Sequence, residues 1–137
     1  MSYRVYNISK KKWMKYDVYL TPDGKLFKIK KSIFGRVKTI IELSPNTHVY
    51  HRDVGLYDKD GVLVYEGDFV EAQVAEDRTV QGLVAYAHEL SSYVILCIGS
   101  EDDLTGEYFA LGSQVSEYIQ VIGNVFDGVE ENKIGKH

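Results

Sequence analysis

The chain has 137 residues, 45% of them apolar and 26% charged, with a formal net charge of −4. That length carries one ordinary core, or a small barrel with a sheet-like appendage, and the composition excludes an intrinsically disordered chain. The longest unbroken apolar stretch, VILCI at 94–98, is far short of the roughly 20 residues a membrane helix needs, so no membrane span is expected.

After Met1 the chain reads SYRVYNISKKKW. Three lysines interrupt any apolar leader there, so no secretory signal is expected and a cytoplasmic setting fits. YRVYNI (3–8) and WMKYDVYL (13–20) read as strands, with Lys10 to Lys12 as the exposed turn between them. TPDG (21–24) is a turn, with Pro in its favoured second position and Gly closing it. KLFKIKK then alternates, placing Leu26, Lys28 and Lys30 on one face and Phe27 and Ile29 on the other. Gly35 ends a loop, RVKTIIEL (36–43) resumes as a strand, and SPN (44–46) turns again. Residues 1–52 thus predict a basic antiparallel β meander with lysines on one side.

The second half is punctuated more tightly. VGLY leads into DKDG (58–61), VLVYE (62–66), EGD (66–68) and FVEAQV (69–74). AEDR (75–78) turns the chain into TVQGLVAYAHEL, and SSYVILCIG is a strongly apolar strand. SEDDLTGE (100–107) reads as a polar loop, a turn or two of helix fits within LGSQVSEY, and SEYIQVIGNVFD closes the ordered part. Twelve glycines, two prolines and eleven tyrosines favour short strands and tight turns. Residues 53–128 therefore predict a small closed or nearly closed barrel, and 129–137 a flexible tail.

The corner chemistry of 53–72 admits several readings. In DKDG, Gly61 takes the positive-φ position of a hairpin turn, and Asp58 can bond its own backbone across it. Calcium is excluded, because aligning Gly61 with the glycine of an EF-hand loop puts Leu56 and Gly67 where the anchoring acids belong. EGD is a second corner, with Gly67 relieving the backbone and Asp68 accepting from nearby amides. A catalytic Asp68 or Glu66 would need a convergent partner, and no residue in the sequence identifies one.

His48 and His51 point to opposite faces of an extended segment, and with His88 they make no metal-ligand spacing. No phosphate-cradling glycine motif and no G-x-S-x-G context occur. The single cysteine, Cys97, excludes an intrachain disulfide, reads as a small buried hydrophobe and suits a reducing compartment. No cofactor, no metal and no catalytic residue are expected.

At this point the residues carry a resemblance. VGLYDKDGVLVYEGDFVEA resembles the YopX family, small proteins found largely in bacteriophages and prophages, whose hallmark runs roughly T-G-L-x-D-K-x-G-x-x-I-Y-E-G-D-I-V. Gly55, Leu56, Asp58, Lys59, Gly61, Tyr65, Glu66, Gly67, Asp68 and Val70 match it, and 121–126 (VIGNVF) matches the closing V-I-G-N-I-Y. DVYLTPDGKLFKI (17–29) is similar to the family's opening region. Val54 stands where Thr is usual, and Phe69 where Ile or Val is usual. The resemblance implies a fold, an SH3-type β-barrel in the carboxy-terminal half, and no enzymatic activity.

The one feature with functional content is the charge division. Residues 1–52 hold twelve Lys/Arg against three acids, a net of +9, and residues 53–137 hold four against seventeen, a net of −13. Head-to-tail contacts between copies follow naturally from two such surfaces, and the tyrosines suit an interface. The leading expectation is a non-enzymatic protein of prophage type that works by binding and self-associates as a homo-oligomer. The alternative is a nucleic-acid-binding module using Lys28, Lys30, Lys31, Arg36 and Lys38. In that reading Lys28, Lys30, Arg36 and Lys38 form a four-cation stripe across two paired strands, with Tyr16, Tyr19 or Phe34 available for stacking. The plainer alternative is an edge hairpin kept from aggregating by its lysines.

Overall fold

The structure is a computed structural model that describes residues 3–15, 18–99, 103–112 and 116–130; the side chains of 37, 38 and 116 lie outside that set. It is mainly β, with curled antiparallel sheets including a half-barrel. The chain divides into two compact units, Tyr3–His51 and a second that starts at Arg52.

The amino-terminal unit contains β1 (Tyr3–Asn7), β2 (Lys12–Trp13), β3 (Val18–Leu20), β4 (Leu26–Lys31), β5 (Val37–Leu43) and the first residues of β6 (His48–Tyr57). β1 lies between β2 and β6, and β3, β4 and β5 form a separate three-stranded sheet in that order. Residues 13–20, expected as one strand, are instead the end of β2 and all of β3, in different sheets. The reason is pairing. Trp13 faces Tyr6 across β1, whereas Val18, Tyr19 and Leu20 face Lys28, Phe27 and Leu26 of β4. A small core of Val5, Leu26 and Leu43 is covered by half-buried Tyr3, Met14, Val18, Leu20 and Tyr50.

The TPDG corner forms between β3 and β4. The Gly24 N–H donates to Thr21 O at 2.9 Å and Gly24 sits at φ +86°, a conformation glycine adopts at little cost.

The carboxy-terminal unit continues with the rest of β6, β7 (Leu63–Tyr65), β8 (Asp68–Ala75), β9 (Arg78–Ala87), β10 (Ser92–Ile98), β11 (Leu104–Ala110), β12 (Ile119–Asn124) and β13 (Gly128–Val129). Six strands make one antiparallel sheet in the order β11-β10-β9-β8-β12-β13. Short 3-10 turns, His88–Leu90 and Ser116–Tyr118, punctuate it; the second falls within LGSQVSEY, whose residues 113–115 lie outside the described set. One face of the sheet supplies Val70, Ala72, Val84, Ile95 and Ile119 to the main core, which Val64 of β7 and Leu111 complete. Burying each of the valine, leucine and isoleucine side chains contributes about 1.5–3 kcal/mol. No helix among the described residues is long and apolar enough to cross a membrane.

Two local expectations are corrected. Residues 104–107, read as loop, belong to β11, which is exposed along its length except for half-buried Phe109. An edge strand need bury nothing. β11 exists because the outer edge of β10 offers backbone partners, in the register Val94↔Ala110, Ile95↔Phe109 and Leu96↔Tyr108. Val129, expected to open a flexible tail, pairs with Gly123 as part of β13; residues 131–137 lie outside the described set.

Candidate functional site

The basic residues sit on the β4–β5 hairpin. Its register is Leu26↔Leu43, Phe27↔Glu42, Lys28↔Ile41, Ile29↔Ile40 and Lys30↔Thr39, followed by an irregularity before Lys31↔Val37. Lys28 is half-buried, and Lys30, Lys31 and Arg36 are exposed. Arg36 precedes β5 and belongs to the turn, where its carbonyl accepts from the Ser32 N–H at 2.8 Å. Lys38 lies at the irregularity, opposite neither Lys30 nor Lys31, and its side chain falls outside the described set.

Lys28 and Lys30 therefore share a face, as the alternation required, but Ile41 and Thr39 stand opposite them rather than cations. Of the three aromatics weighed for stacking, Tyr16 lies outside the described residues. Tyr19 pairs with Phe27 and so stands on the face away from Lys28. Phe34 lies at the hairpin tip.

That tip holds an exposed apolar pair of which the sequence reading singles out only Phe34. Ile33 is 94% exposed and Phe34 85% exposed, side by side in a closed turn. The Gly35 N–H donates to Ser32 O at 3.0 Å and Gly35 takes φ +78°. Two large apolar side chains held in solvent, among lysines, form an unusual surface. The signal was present as an Ile-Phe pair in a segment otherwise rich in turn and charged residues.

On the carboxy-terminal unit, a cleft of about 540 Å³ opens beside the end of β8. Val74, Ala75, Ile95, Phe109, Ala110 and Tyr118 supply its apolar lining, and Glu76 sits at its wall. Asp77 and Glu117 are exposed sequence neighbours of the lining residues Glu76 and Tyr118. The nearby cation Arg78 donates to Glu107 Oε1 at 2.6 Å and stands 5.9 Å from the Phe109 ring centre. A second hollow of about 610 Å³ is polar, with Glu71, Arg78, Gln81 and Glu107 in its walls. There Gln81 Nε2 donates to the buried Glu71 carboxylate at 3.2 Å. Cys97 is buried in that region, and burial first, then Glu107, against Arg78, pushes its thiol pKa up.

The histidines have separate surroundings. His48 Nδ1 lies 2.9 Å from Thr47 Oγ1 and 3.1 Å from Ser44 O. His88 meets the Tyr86 ring edge-on at 5.0 Å, and His51 meets Trp13 at 6.1 Å. Burial first, and the Arg4 guanidinium second, push the His51 imidazole from its ordinary 6.5 down to about 4. Folded His51 thus stays neutral where an unfolded chain would protonate it. Its contribution to stability is complete above pH 6.5 and is lost as pH falls toward about 4. The thermal midpoint is expected to drop across that window, and His51→Phe, which takes up no proton, should flatten the drop. An unchanged slope in the variant would assign the pH dependence to other groups.

The carboxylates of the 53–70 stretch face the backbone. Asp53 Oδ1 accepts from Gly55 N–H at 2.8 Å, Glu66 Oε1 from Arg52 N–H at 2.9 Å, and Asp68 Oδ2 from Tyr65 N–H at 2.8 Å. Asp68 is almost fully buried, beside Gly67 at φ +82°. Among the described residues, no group of three or more His, Cys, Asp or Glu is placed to hold a metal ion.

A family model described as YopX protein matches residues 2–130. The chain belongs to the YopX family. No curated protein matches it. Among solved structures it is similar to protein EF1440 from Enterococcus faecalis, at 17% identity and a TM-score of 0.49, over 96% of this chain and 95% of that one.

Within this YopX-family chain, the two segments that carry the family resemblance meet at one side chain. Asp58 Oδ1 accepts from the Asp60 and Val62 N–H groups, each at 2.9 Å, closing the DKDG turn. Its Oδ2 accepts from the Val121 N–H at 2.9 Å, 63 residues away in the VIGNVF segment. The Lys59 N–H donates to Ile119 O at 3.0 Å and completes the seam. In VIGNVF itself, Asn124 Oδ1 accepts from the Phe126 and Asp127 N–H groups at 3.0 and 2.9 Å, which turns β12 into β13. Asp58, Glu66, Asp68 and Asn124 of the YopX motif are thus fastenings of the backbone.

Proposed function

We propose that this protein is non-enzymatic and works by binding, with the β4–β5 hairpin as its contact arm and a second copy of the chain as its partner. The observation that carries the reading is the Ile33–Phe34 tip, exposed at 94% and 85%, in a segment (24–41) with six cations and no acid. An exposed apolar anchor ringed by like charge is poorly suited to solvent and well suited to an acidic, partly apolar counterpart. The −13 carboxy-terminal region supplies one in every other copy. The setting we propose is the cytoplasm of a phage-carrying bacterium, with the carboxy-terminal unit as an SH3-type barrel.

The test is light scattering coupled to gel filtration in about 0.05 M and about 0.5 M salt, which changes the screening length several-fold. Oligomers at low salt that dissociate at high salt are expected. A monomer at every concentration and salt would end the self-association reading.

A second reading takes the same arm to nucleic acid, supported by the acid-free run and by Phe34 as a stacking side chain. Short single- and double-stranded DNA in fluorescence anisotropy tests it. Binding by the parent protein that survives Lys28→Glu with Arg36→Glu would remove Lys28, Lys30, Lys31, Arg36 and Lys38 as its basis.

A further inference from the structure

We infer that the Ile33–Phe34 tip of one copy seats in the apolar cleft between β8, β10 and β11 of another copy, joining the chains head to tail. This rests on the self-association reading and specifies its two surfaces. Three observations converge on it.

The tip is a preformed knob. Its turn is closed by the Gly35-to-Ser32 and Ser32-to-Arg36 backbone bonds, so docking would order little new backbone. The cleft is a preformed hole. Its volume of about 540 Å³ lies within the roughly 300–1,000 Å³ typical of ligand pockets, and Val74, Ile95, Phe109 and Tyr118 give it apolar walls. Charge is complementary as well. Lys30, Lys31 and Arg36 flank the knob, while Glu76 lies in the cleft wall, the exposed Asp77 and Glu117 adjoin lining residues in sequence, and the neighbouring cation Arg78 is already engaged by Glu107.

The polar hollow beside β9 does not fit this occupant. Its Glu71, Arg78, Gln81 and Glu107 would set charged and amide groups against Ile33 and Phe34, and desolvating them would cost more than the apolar contact returns.

A tip and a cleft are different patches, so the contact is heterologous. It leaves one free tip and one free cleft on every pair and allows growth into a chain or ring. That asymmetry provides the test. The full-length protein is made as a tip variant, Ile33→Asp with Phe34→Asp, and as a cleft variant, Ala75→Arg. All three positions are exposed, so both variants should fold.

The parent is expected to associate at low salt. Each variant alone should associate more than about tenfold more weakly, as for loss of a central interface anchor. An equimolar mixture should recover a 1:1 dimer and stop there, because one live tip meets one live cleft and the remaining surfaces are both blocked. Light scattering reads each mass directly.

If the parent associates but either variant does so equally well, or the mixture stays monomeric, the tip–cleft contact is wrong while self-association stands. If the parent never associates, both fall. If DNA binding is lost in the tip variant and kept in the cleft variant, and the mixture stays monomeric, the tip's occupant is nucleic acid and the inference is overturned.

Discussion

Asp58→Ala is expected to lower the stability of the carboxy-terminal unit by about 2–4 kcal/mol, because the buried Asp58 carboxylate is the acceptor at the centre of a hydrogen-bond network. Three backbone N–H groups, of Asp60, Val62 and Val121, lose their acceptor together. A donor left unsatisfied away from water costs about 1–3 kcal/mol; Asp60 and Val62 are exposed and Val121 is half-buried, so water takes over part of the loss and the total stays below the full sum. Asp58→Asn keeps one acceptor oxygen and is expected to lose roughly half as much. Urea unfolding reads both, through a lower midpoint at an unchanged slope. A loss below about 1 kcal/mol in the alanine variant would mean that the seam between the DKDG turn and β12 contributes little. Because Asp58 joins segments 63 residues apart, the variant should also loosen β12 specifically. Hydrogen exchange at Val121 would show that as a larger increase than at Val94 in β10.

The second large effect is expected at Gly123. A Cβ added there would stand 1.9 Å from Gly128 O, 2.8 Å from Gly128 C and 2.8 Å from Val129 Cα. All three are backbone atoms, so no side-chain rotation relieves the clash. Gly123→Ala must push β13 away from β12, breaking the Gly123↔Val129 and Asn124↔Gly128 pairing, at a cost of about 3 kcal/mol or more. The loss of order should concentrate in residues 122–130, including the Glu130 N–H that donates to Ile122 O at 2.5 Å. Gly112→Ala is the control, since a Cβ there meets nothing within 4 Å and no positive φ is involved. Equal destabilisation by the two substitutions would refute the steric account.

Among the features of this chain, those set within a few residues were legible in advance. Leu26, Lys28 and Lys30 share one face of β4 because side chains alternate every second residue, which depends on nothing distant. The DKDG and EGD corners fold where their glycines and aspartates sit, since Gly61 and Gly67 at φ +80° and +82° solve a local backbone problem. Family membership was legible for the same reason, because the motif consists of those corner residues.

The candidate site was only half legible. The positions of Lys28, Lys30 and Lys31 on β4 followed from alternation. What stands opposite them on β5 was decided by a register that pairs Lys28 with Ile41, Lys30 with Thr39 and Lys31 with Val37, and sets Arg36 back in the turn. Ile33 looks like a core residue to any count of apolar side chains, and it stands in solvent beside Phe34 because no element among the described residues covers the tip.

Composition and order along the chain by themselves determined the β class, the corners, the alternating faces of β4 and the unequal division of charge. Each of these arises from a residue and its immediate neighbours. Tertiary structure alone decided that residues 104–107 form a strand, that Asp58 holds Val121, and that β8, β10 and β11 line an apolar cleft. These features depend on which distant backbone groups and side chains come within reach, and that is settled by the cooperative burial of the core rather than by local preference.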